Sequence, residues 1–512
     1  MTSSPGEQAD SPAGQARVDQ PGVARDAVSP MLQVGLPPER RSEVVPVLAE
    51  NRSPVLVELN LTRDAETEQT RADFLQLYRA TFPHLPEPLP VAASYVRCVL
   101  SPPEIQRLLE LDRDGTPTVF RVWPDYTLDA HIDRSAATIK ADAVLRAYAA
   151  TGQGIVWAVA DSGVDAQHPH FADGTLTGPT AGLHRDFTAL VTGGPQPDPP
   201  ESPLTDPAGH GTHVAGIIAG GLPARVPPLI GQVELTGGGL PEWHTRTLDA
   251  GRALTGIAPQ AGLVSLKVLA ERGPGLVTSS SAVIQALYYI REKVNTGGRL
   301  LVIHGVNLSL GCAWDAREYA CGQSPLCREV NLLAASGVVV VVSAGNGGFA
   351  GRLPGEGGAD NRAVLATITD PGNADGAITV GSTHRDRPHE YGVTYSSSKG
   401  PTLDGRLKPD LLAPGERITS CASGELRTQL ATLFPPDADP ATLPTYVEQS
   451  GTSMAAPHVS GAIAAFLSVR QEFVGRPREI KELFCANATS LGRDRYLEGH
   501  GLLDLMRVMS NV

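Results

Sequence analysis

The sequence has few aromatic residues and no excess of positive charge. Phe, Trp and Tyr make up 5% of the chain, and 42 Lys and Arg residues are set against 55 Asp and Glu residues, for a formal net charge of −13. Proteins that bind nucleic acids or anionic membranes typically carry a basic surface, often with aromatic side chains for base stacking. The composition therefore predicts neither a nucleic-acid partner nor a membrane partner, and a solvated acidic surface explains the charge.

The sequence also lacks a long apolar segment that would act as a signal peptide or cross a bilayer. Residues 1–44 contain Pro, Gly, Ser, Gln and scattered charges without periodicity, which is typical of a disordered tail. We therefore expect a cytoplasmic protein. Export by a route that the sequence does not reveal is the alternative.

None of the six cysteines lies in a Cys-x-x-Cys pair, the spacing that is typical of zinc sites. Cys312, Cys321 and Cys327 are close in sequence, which leaves a local disulfide and free thiols as two open interpretations. Thiols normally stay reduced in the cytosol, and this favours free thiols. Residues 220–254, a surface excursion rich in Gly and Pro, contain no recognisable pattern of oxygen ligands. We predict no metal ion and no cofactor.

Three polar residues stand where buried elements begin or end. Asp161 follows the apolar run 155–160, which predicts a buried strand of a parallel sheet. His210 lies just ahead of one apolar helical pattern, and Ser453 begins another, in which Pro457 is tolerated because it is near the helix start. The unpaired N–H groups of that helix start would face an oxyanion formed beside the Ser453 hydroxyl. A serine presented in this way is a candidate nucleophile that needs a base.

These residues lie in three motifs that resemble those of the subtilisin-like serine proteases, the subtilase family. Asp161-Ser-Gly-Val resembles the family's Asp motif, His210-Gly-Thr-His-Val-Ala-Gly216 its His motif, and Gly451-Thr-Ser-Met-Ala-Ala-Pro457 its Ser motif. The resemblance implies that Asp161, His210 and Ser453 are the catalytic triad of a serine endopeptidase. Such an enzyme hydrolyses polypeptide substrates through a covalent acyl-enzyme.

Matches between these motifs imply further site residues. Asn346, which follows the β-branched run 338–343, matches the asparagine that donates to the oxyanion. Residues 306–311 match the segment that pairs with an extended substrate and lines the first specificity pocket. The floor of that pocket falls in the divergent stretch 347–375, so the side-chain preference stays open. Its candidate residues are Phe349, Arg352, Glu356, Asp360 and Arg362. The implied substrate-binding residues are Gly275, Ser309, Leu310, Gly311, Ala344 and Gly345.

The resemblance implies an α/β fold, with a doubly wound parallel sheet in a peptidase domain over residues 131–512. Residues 45–130 precede it with an α+β pattern. Strands are expected at 54–61, 95–100 and 119–123, and helices at 66–82 and 102–111. In a subtilase this segment resembles a ferredoxin-like propeptide, which assists folding and inhibits the zymogen until it is cleaved, here at about 125–134. A regulatory domain that is never cleaved is the alternative.

Other classes of function explain the motifs less well. Taken singly, each polar residue is more often structural, and His168, His213 and His458 are expected to be so. An esterase of the α/β-hydrolase type would need glycine where the chain has Ala455. A non-catalytic binding protein on this scaffold would be expected to have lost a triad or oxyanion residue, and none is lost. A protease kept latent by its N-terminal domain is the more serious alternative.

Overall fold

The computed structural model describes residues 52–60, 67–90, 95–113, 116–124, 135–192, 202–222, 228–235, 241–248, 254–272, 275–297, 300–312, 320–350, 362–432, 434 and 443–512. The chain divides into two compact units, residues 1–128 and residues 129–512. The predicted tail over 1–44 and the predicted processing junction at 125–134 lie outside the described residues.

The first unit is a four-stranded antiparallel sheet with two helices. Its elements are β1 (Ser53–Leu59), α1 (Thr67–Thr81), β2 (Leu89–Pro90), β3 (Tyr95–Leu100), α2 (Pro102–Leu111) and β4 (Val119–Pro124). The strand order is β2-β3-β1-β4. The core forms between alternate residues of the strands, such as Val55 and Val57, and helix residues such as Phe74 and Leu108. The predicted strands and helices are present within about two residues. The short β2 was missed because its two exposed residues carry no alternating pattern.

The second unit is built on a seven-stranded sheet. The strands of the whole unit are β5 (Val156–Asp161), β6 (Arg185–Asp186), β7 (Gly221–Leu222), β8 (Leu229–Leu235), β9 (Pro241–Thr247), β10 (Leu254–Thr255), β11 (Gly262–Lys267), β12 (Ala270–Arg272), β13 (Gly275–Val277), β14 (Gly305–Leu308), β15 (Val339–Ser343), β16 (Phe349–Ala350), β17 (Arg362–Ala363), β18 (Ala377–His384), β19 (Leu411–Glu416), β20 (Ile418–Cys421) and β21 (Tyr446–Gln449). The large sheet has the order β19-β18-β15-β14-β5-β11-β6, with every neighbouring pair parallel. Its strands therefore end at one edge, where Asp161 and Ser343 are the last residues of β5 and β15.

Helices cover both faces of this sheet. The helices of this unit are α3 (Ser135–Thr138), α4 (Ala141–Tyr148), α5 (Ala189–Thr192), α6 (His210–Ile218), α7 (Ser280–Tyr289), α8 (Pro325–Ala335), α9 (Pro388–Tyr391), α10 (Gly424–Ala431), α11 (Thr452–Val469), α12 (Pro477–Ala486), α13 (Arg495–Glu498) and α14 (Leu505–Ser510). Val339 and Val341 of β15 pack in the core that contains α6 and α11, whereas Val340 and Val342 pack in the core that contains α7 and α8. The predicted α/β architecture with helices on both faces is confirmed.

Residues 220–254 contain more regular structure than the sequence analysis expected. Strands β8 and β9 form an antiparallel hairpin, and β8 also pairs with β21 in a four-stranded sheet of order β20-β21-β8-β9. The Gly and Pro content led to the prediction of a surface excursion, in which no strand was assigned. The alternating pattern of Leu229–Leu235 was the signal for a strand.

Helix α11 passes through the centre of the second unit. By length and composition alone it could cross a membrane, although the sequence analysis found no such segment. Its apolar window is 83% buried inside the protein. A buried core helix passes the same test, so its apolar character is explained by packing.

Candidate active site

The structure brings Asp161 and His210 into direct contact. Asp161 ends β5, and His210 is the first residue of α6 rather than lying just ahead of it. His210 Nδ1 lies 2.7 Å from Asp161 Oδ1. The Asp161 side chain is 1% exposed, whereas the imidazole is 26% exposed. Because the carboxylate accepts the Nδ1 proton, Nε2 of His210 is left as the basic nitrogen.

The charges around His210 raise its pKa. Burial by itself disfavours the charged imidazolium, but the charge and hydrogen bond of Asp161 oppose that effect, and the charge of Asp206 adds to them. The balance places the pKa of His210 above its ordinary value. His210 therefore holds a proton at a higher pH than a free histidine does.

Asp206 holds the turn that leads into α6. Its Oδ1 accepts hydrogen bonds from Ser162 Oγ (2.8 Å) and Gly209 N (2.9 Å), and its Oδ2 accepts from Thr212 N (2.8 Å) and Thr212 Oγ1 (2.6 Å). Burial raises the pKa of Asp206, and these hydrogen bonds oppose the rise. No role for Asp206 was predicted from the sequence. Its place at the start of Asp-Pro-Ala-Gly, a turn composition ahead of a helix, was the available signal.

Two glycines allow β5 and α6 to meet closely. Gly163 has a φ of +109°, and a Cβ built there would lie 2.2 Å from Thr205 O. A Cβ on Gly211 would lie 2.1 Å from Gly163 O and 3.0 Å from Asp161 Cβ. A side chain at Gly211 would therefore push the base away from its carboxylate.

The hydroxyl of Ser453 points to a different partner. Ser453 is the second residue of α11, whose start at Thr452 agrees with the sequence prediction. Its Oγ donates to Ser309 O at 3.2 Å, and Ser309 Oγ donates to Ser453 O at 2.7 Å. Among the described contacts, Ser453 thus bonds to Ser309 and has no hydrogen bond to His210. Two members of the predicted triad are in contact, and the third is held at the adjacent helix start.

A chain of hydrogen bonds fixes the backbone at Ser453. Asn307 Nδ2 donates to Ser309 Oγ at 2.9 Å, and Ser460 Oγ donates to Asn307 Oδ1 at 2.9 Å. Asn307 and Ser460 are completely buried. Hydrogen bonds therefore connect the end of β14 to α11 at two residues, Ser453 and Ser460.

Asn346 lies beside the same helix start. Its Oδ1 accepts hydrogen bonds from Thr452 N (3.0 Å) and Thr452 Oγ1 (3.1 Å). Thr452 Oγ1 in turn accepts from Gly345 N at 3.2 Å. Since the amide oxygen is occupied, the Nδ2 of Asn346 is the end that is left to donate to a ligand. This contact of Thr452 with the Asn346 amide was not predicted from the sequence.

The predicted substrate-binding residues lie on three segments at this edge of the sheet. Thr369 packs between two of these segments. A Cβ on Gly311 would lie 2.4 Å from Thr369 Oγ1, and one on Gly345 would lie 2.9 Å from the same atom. On the third segment, a Cβ on Gly275 would meet no atom of the described residues within 4 Å. The segments carry Ser309, Leu310 and Gly311 after β14, Ala344 and Gly345 after β15, and Gly275 at the start of β13.

Parts of the predicted pocket floor fall outside the described residues, namely Arg352, Glu356 and Asp360. Phe349 and Arg362 lie on β16 and β17, which pair with each other and are exposed. The Phe349 ring packs edge-on against Tyr395, with 5.4 Å between centroids.

Three other histidines are structural, as predicted. His168, His213 and His458 are buried, and each has a ring nitrogen within hydrogen-bond distance of a backbone carbonyl oxygen. Burial lowers the pKa of His213 to about 3 and that of His458 to about 4. Burial lowers the pKa of His168 as well, so the neutral form of all three imidazoles is favoured.

All six cysteines are free thiols, and Cys312 is the exposed one. Burial raises the pKa of Cys321 and of Cys327, so these two thiols resist ionisation. Within the ranges given above, no group of three or more His, Cys, Asp or Glu residues is placed to hold a metal ion.

Comparison with known proteins agrees with the resemblance of the sequence motifs to those of serine proteases. A family model described as the subtilase family matches residues 152–502. An intracellular serine protease of Paenibacillus polymyxa is 29% identical over 381 residues, which cover 74% of this chain and 86% of the relative. The serine protease AprX of Bacillus subtilis is 29% identical over 379 residues, or 73% of this chain and 70% of the relative. Subtilisin E of the same organism is 26% identical over 416 residues, or 80% of each.

Proposed function

Because this chain belongs to the subtilase family and is a subtilisin-like serine endopeptidase, we propose that Asp161, His210 and Ser453 are its catalytic triad. The observation that carries the proposal is the 2.7 Å hydrogen bond between the buried carboxylate of Asp161 and the partly exposed ring of His210. Ser453 supports it from the first turn of α11, where the helix dipole favours an oxyanion beside the hydroxyl.

In this proposal, Ser453 attacks the scissile carbonyl carbon while His210 Nε2 takes the hydroxyl proton. The hydroxyl must first leave Ser309 O, and a rotation about the Cα–Cβ bond of Ser453 suffices for that change. Asp161 stabilises the imidazolium that forms. His210 then gives the proton to the leaving amine, and a water activated by the same base hydrolyses the acyl-enzyme.

The oxyanion of the tetrahedral intermediate would be held by Asn346 Nδ2 and the backbone N–H of Ser453. Thr452 supports this role, because it occupies the other end of the Asn346 amide with two hydrogen bonds. Preorganised donors of this kind favour the transition state over the ground state. Thr452 is thus a positioning residue.

An extended polypeptide would lie between residues 309–311 and the edge that begins at Gly275. The open space at Gly275 supports a close approach of the substrate backbone there. Ala344 and Gly345 would line the first specificity pocket opposite Gly311, with Thr369 between the two walls.

Residues 45–130 are proposed to be a ferredoxin-like propeptide that keeps the enzyme as a zymogen. The order of strands and helices in the first unit, with sheet order β2-β3-β1-β4, supports that fold. Cleavage is expected at about 125–134. A cytoplasmic site of action is proposed because two relatives, from Paenibacillus polymyxa and Bacillus subtilis, are named as intracellular proteases.

A second candidate is a protease that stays latent with its N-terminal unit uncleaved. The hydrogen bond from Ser453 Oγ to Ser309 O favours it, because the nucleophile is not yet paired with its base. Activity would then require a partner or substrate that turns the hydroxyl toward His210.

Intact mass and N-terminal sequencing separate these candidates. The purified wild type is compared with Ser453→Ala and with Ser510→Ala, which removes an exposed serine at the far end of the chain. Loss of residues up to about 125–134 from the wild type and Ser510→Ala alone is expected for the self-cleaved zymogen. If all three stay at full length, the processing proposal is wrong, and labelling of Ser453 by a fluorophosphonate identifies the latent protease. Absence of both cleavage and labelling would refute the triad.

A further inference from the structure

Asn307 is a polar residue on the central strand of the large sheet. It lies on β14, which pairs with β5 on one side and with β15 on the other, and it is completely buried. Burying an amide costs free energy unless its two ends are hydrogen-bonded, and an apolar side chain would avoid that cost. Here the two ends are bonded to Ser309 and to Ser460 of α11. The amide therefore joins the proposed substrate segment to the helix that carries the nucleophile.

Ser460 lies on the same face of α11 as Ser453. Seven residues separate the two, which is about two helical turns. Ser460 is completely buried, and its hydroxyl donates to Asn307 Oδ1 at 2.9 Å. Among the described residues, Asn307 is its hydrogen-bond partner. An effect of the Ser460 hydroxyl on the reaction would therefore pass through that amide.

The amide of Asn307 has two different ends, and Ser460 determines which way they face. Oδ1 accepts hydrogen bonds and Nδ2 donates them. Because Ser460 Oγ donates to Oδ1, Nδ2 faces Ser309 and donates to its Oγ at 2.9 Å. The single hydroxyl proton of Ser309 is then directed to Ser453 O, 2.7 Å away. A series of hydrogen bonds thus leads from Ser460 to the backbone of the nucleophile.

The carbonyl of Ser453 depends on the last of these hydrogen bonds. In a regular helix it would accept from the N–H four residues later, but residue 457 is a proline and has no N–H. Without the Ser460 hydroxyl, Asn307 Oδ1 would have no donor among the described residues. A turn of the amide that exchanges its two ends would bring Oδ1 to Ser309 Oγ. The Ser309 proton would then go to Oδ1, and Ser453 O would lose its donor.

We propose that Ser460 is a positioning residue of the reaction. Its hydroxyl orients the Asn307 amide, so that Ser309 holds the backbone of Ser453 at a fixed distance from the substrate segment. The inference rests on the proposed function, since it takes Ser453 as the nucleophile and residues 309–311 as the substrate segment. A misplaced nucleophile slows the chemical step, whereas β14, which leads into that segment, is still held by its neighbouring strands. The effect is therefore on kcat rather than on KM.

The test compares the active wild type with Ser460→Ala and with Ser468→Ala as a matched control. Ser468 lies at the other end of α11, where its Oγ accepts from Gly152 N at 3.1 Å and donates to Ala465 O at 2.7 Å. Both substitutions remove a hydrogen-bonded hydroxyl from the same helix, so each should lower the melting temperature by about 2–4 °C. Only Ser460→Ala should lower kcat for a fluorogenic peptide, by about tenfold, with KM changed by less than about twofold.

Two further variants separate positioning from a general loss of stability. Ser460→Thr keeps the hydroxyl but adds a methyl group at a completely buried position, so it should lower the melting temperature and keep kcat within about threefold of the wild type. Ser309→Ala removes the donor to Ser453 O and should lower kcat about tenfold. In the Ser309→Ala background, Ser460→Ala should lower kcat no further. The rate at which a fluorophosphonate labels Ser453 should follow the same pattern.

The proposal is overturned by wild-type kcat in Ser460→Ala or in Ser309→Ala, and by equal losses of kcat in Ser460→Ala and Ser468→Ala. It is also overturned by additive losses in the double variant, or by a loss in Ser460→Thr as large as that in Ser460→Ala. Failure of the catalytic proposal looks different. In that case Ser453→Ala would cleave the peptide as fast as the wild type, and the positioning proposal would fall with it.

Discussion

Replacing Asp206 by asparagine should weaken the turn that presents His210. The carboxylate accepts four hydrogen bonds, including two from the backbone N–H groups of Gly209 and Thr212. Asparagine has one acceptor oxygen, so its NH₂ group would face at least one of these donors. A buried N–H without an acceptor costs about 1–3 kcal/mol, and loss of charge from the remaining bonds adds about 1 kcal/mol. We expect the free energy of unfolding to fall by about 2–4 kcal/mol.

The same substitution should move the pH dependence of catalysis. The negative charge of Asp206 favours protonated His210, and it is one of the causes that raise the pKa of the imidazole. Without that charge the imidazolium is less stable, so the pKa of His210 falls and the neutral base persists to lower pH. The acidic limb of kcat/KM should therefore shift to lower pH. The profile is measured with a short peptide between about pH 5 and pH 9.

Unfolding is best measured by denaturant titration in a Ser453→Ala background, so that the protein cannot digest itself. Asp173→Asn is the matched control. Asp173 is exposed and accepts one hydrogen bond, from Thr175 Oγ1 at 3.1 Å. The control should change the unfolding free energy by less than about 0.5 kcal/mol and leave the pH profile in place. If Asp206→Asn behaves like the control, Asp206 does not support the turn. A shift of the acidic limb to higher pH would show that the sign of its charge effect is wrong.

Three further expectations concern the site. Thr452→Val should lower kcat about tenfold with little change in KM. In an Asn346→Ala background the same substitution should lower kcat no further, because Thr452 acts through that amide. Additive losses of kcat in steady-state kinetics would contradict this. Gly275→Ala should leave the melting temperature unchanged, since the new methyl group meets no described atom within 4 Å, while kcat/KM for extended peptides should fall about tenfold. Unchanged kinetics would show that the substrate does not lie at this edge. In the wild type, the acidic limb of kcat/KM should have its midpoint above about 6.5, because the pKa of His210 is raised; a lower midpoint would mean that burial outweighs the carboxylates.

The sequence predicts best the features that depend on one continuous segment. The apolar run before Asp161 and the valine run before Asn346 are strands within about two residues of the predicted bounds. Burial on both faces of a parallel sheet leaves a hydrophobic pattern that local composition reveals. The start of α11 at Thr452 agrees with the prediction, but Pro457 is the sixth residue of the helix and lies past the first turn. Its missing N–H leaves Ser453 O without a helical donor, and this carbonyl accepts from Ser309 Oγ instead.

Contacts between distant segments could not be read in the same way. A carboxylate in a turn is compatible with an exposed cap and with a buried acceptor of four hydrogen bonds, and Asp206 is the second. The motifs pair the Ser453 hydroxyl with His210 as its base, whereas its hydrogen bond in the structure is to a carbonyl 144 residues earlier in the chain. The position of Thr369 between Gly311 and Gly345 is a third contact that could not be predicted from the sequence. Sequence spacing carries no record of which atoms meet after folding.

The order of strands in the large sheet has a consequence for how this chain folds. β5 lies between β14 and β11, so the strand that ends in Asp161 has no neighbour until segments far downstream have been made and docked. The entropy of closing such long loops must be overcome before these contacts contribute, which slows folding. During that interval the valine-rich strands are extended and accessible, the form in which a protease cleaves a chain. An active, folded molecule therefore cleaves other copies of the chain that are still folding. Any segment that accelerates folding or delays activity protects those copies from proteolysis.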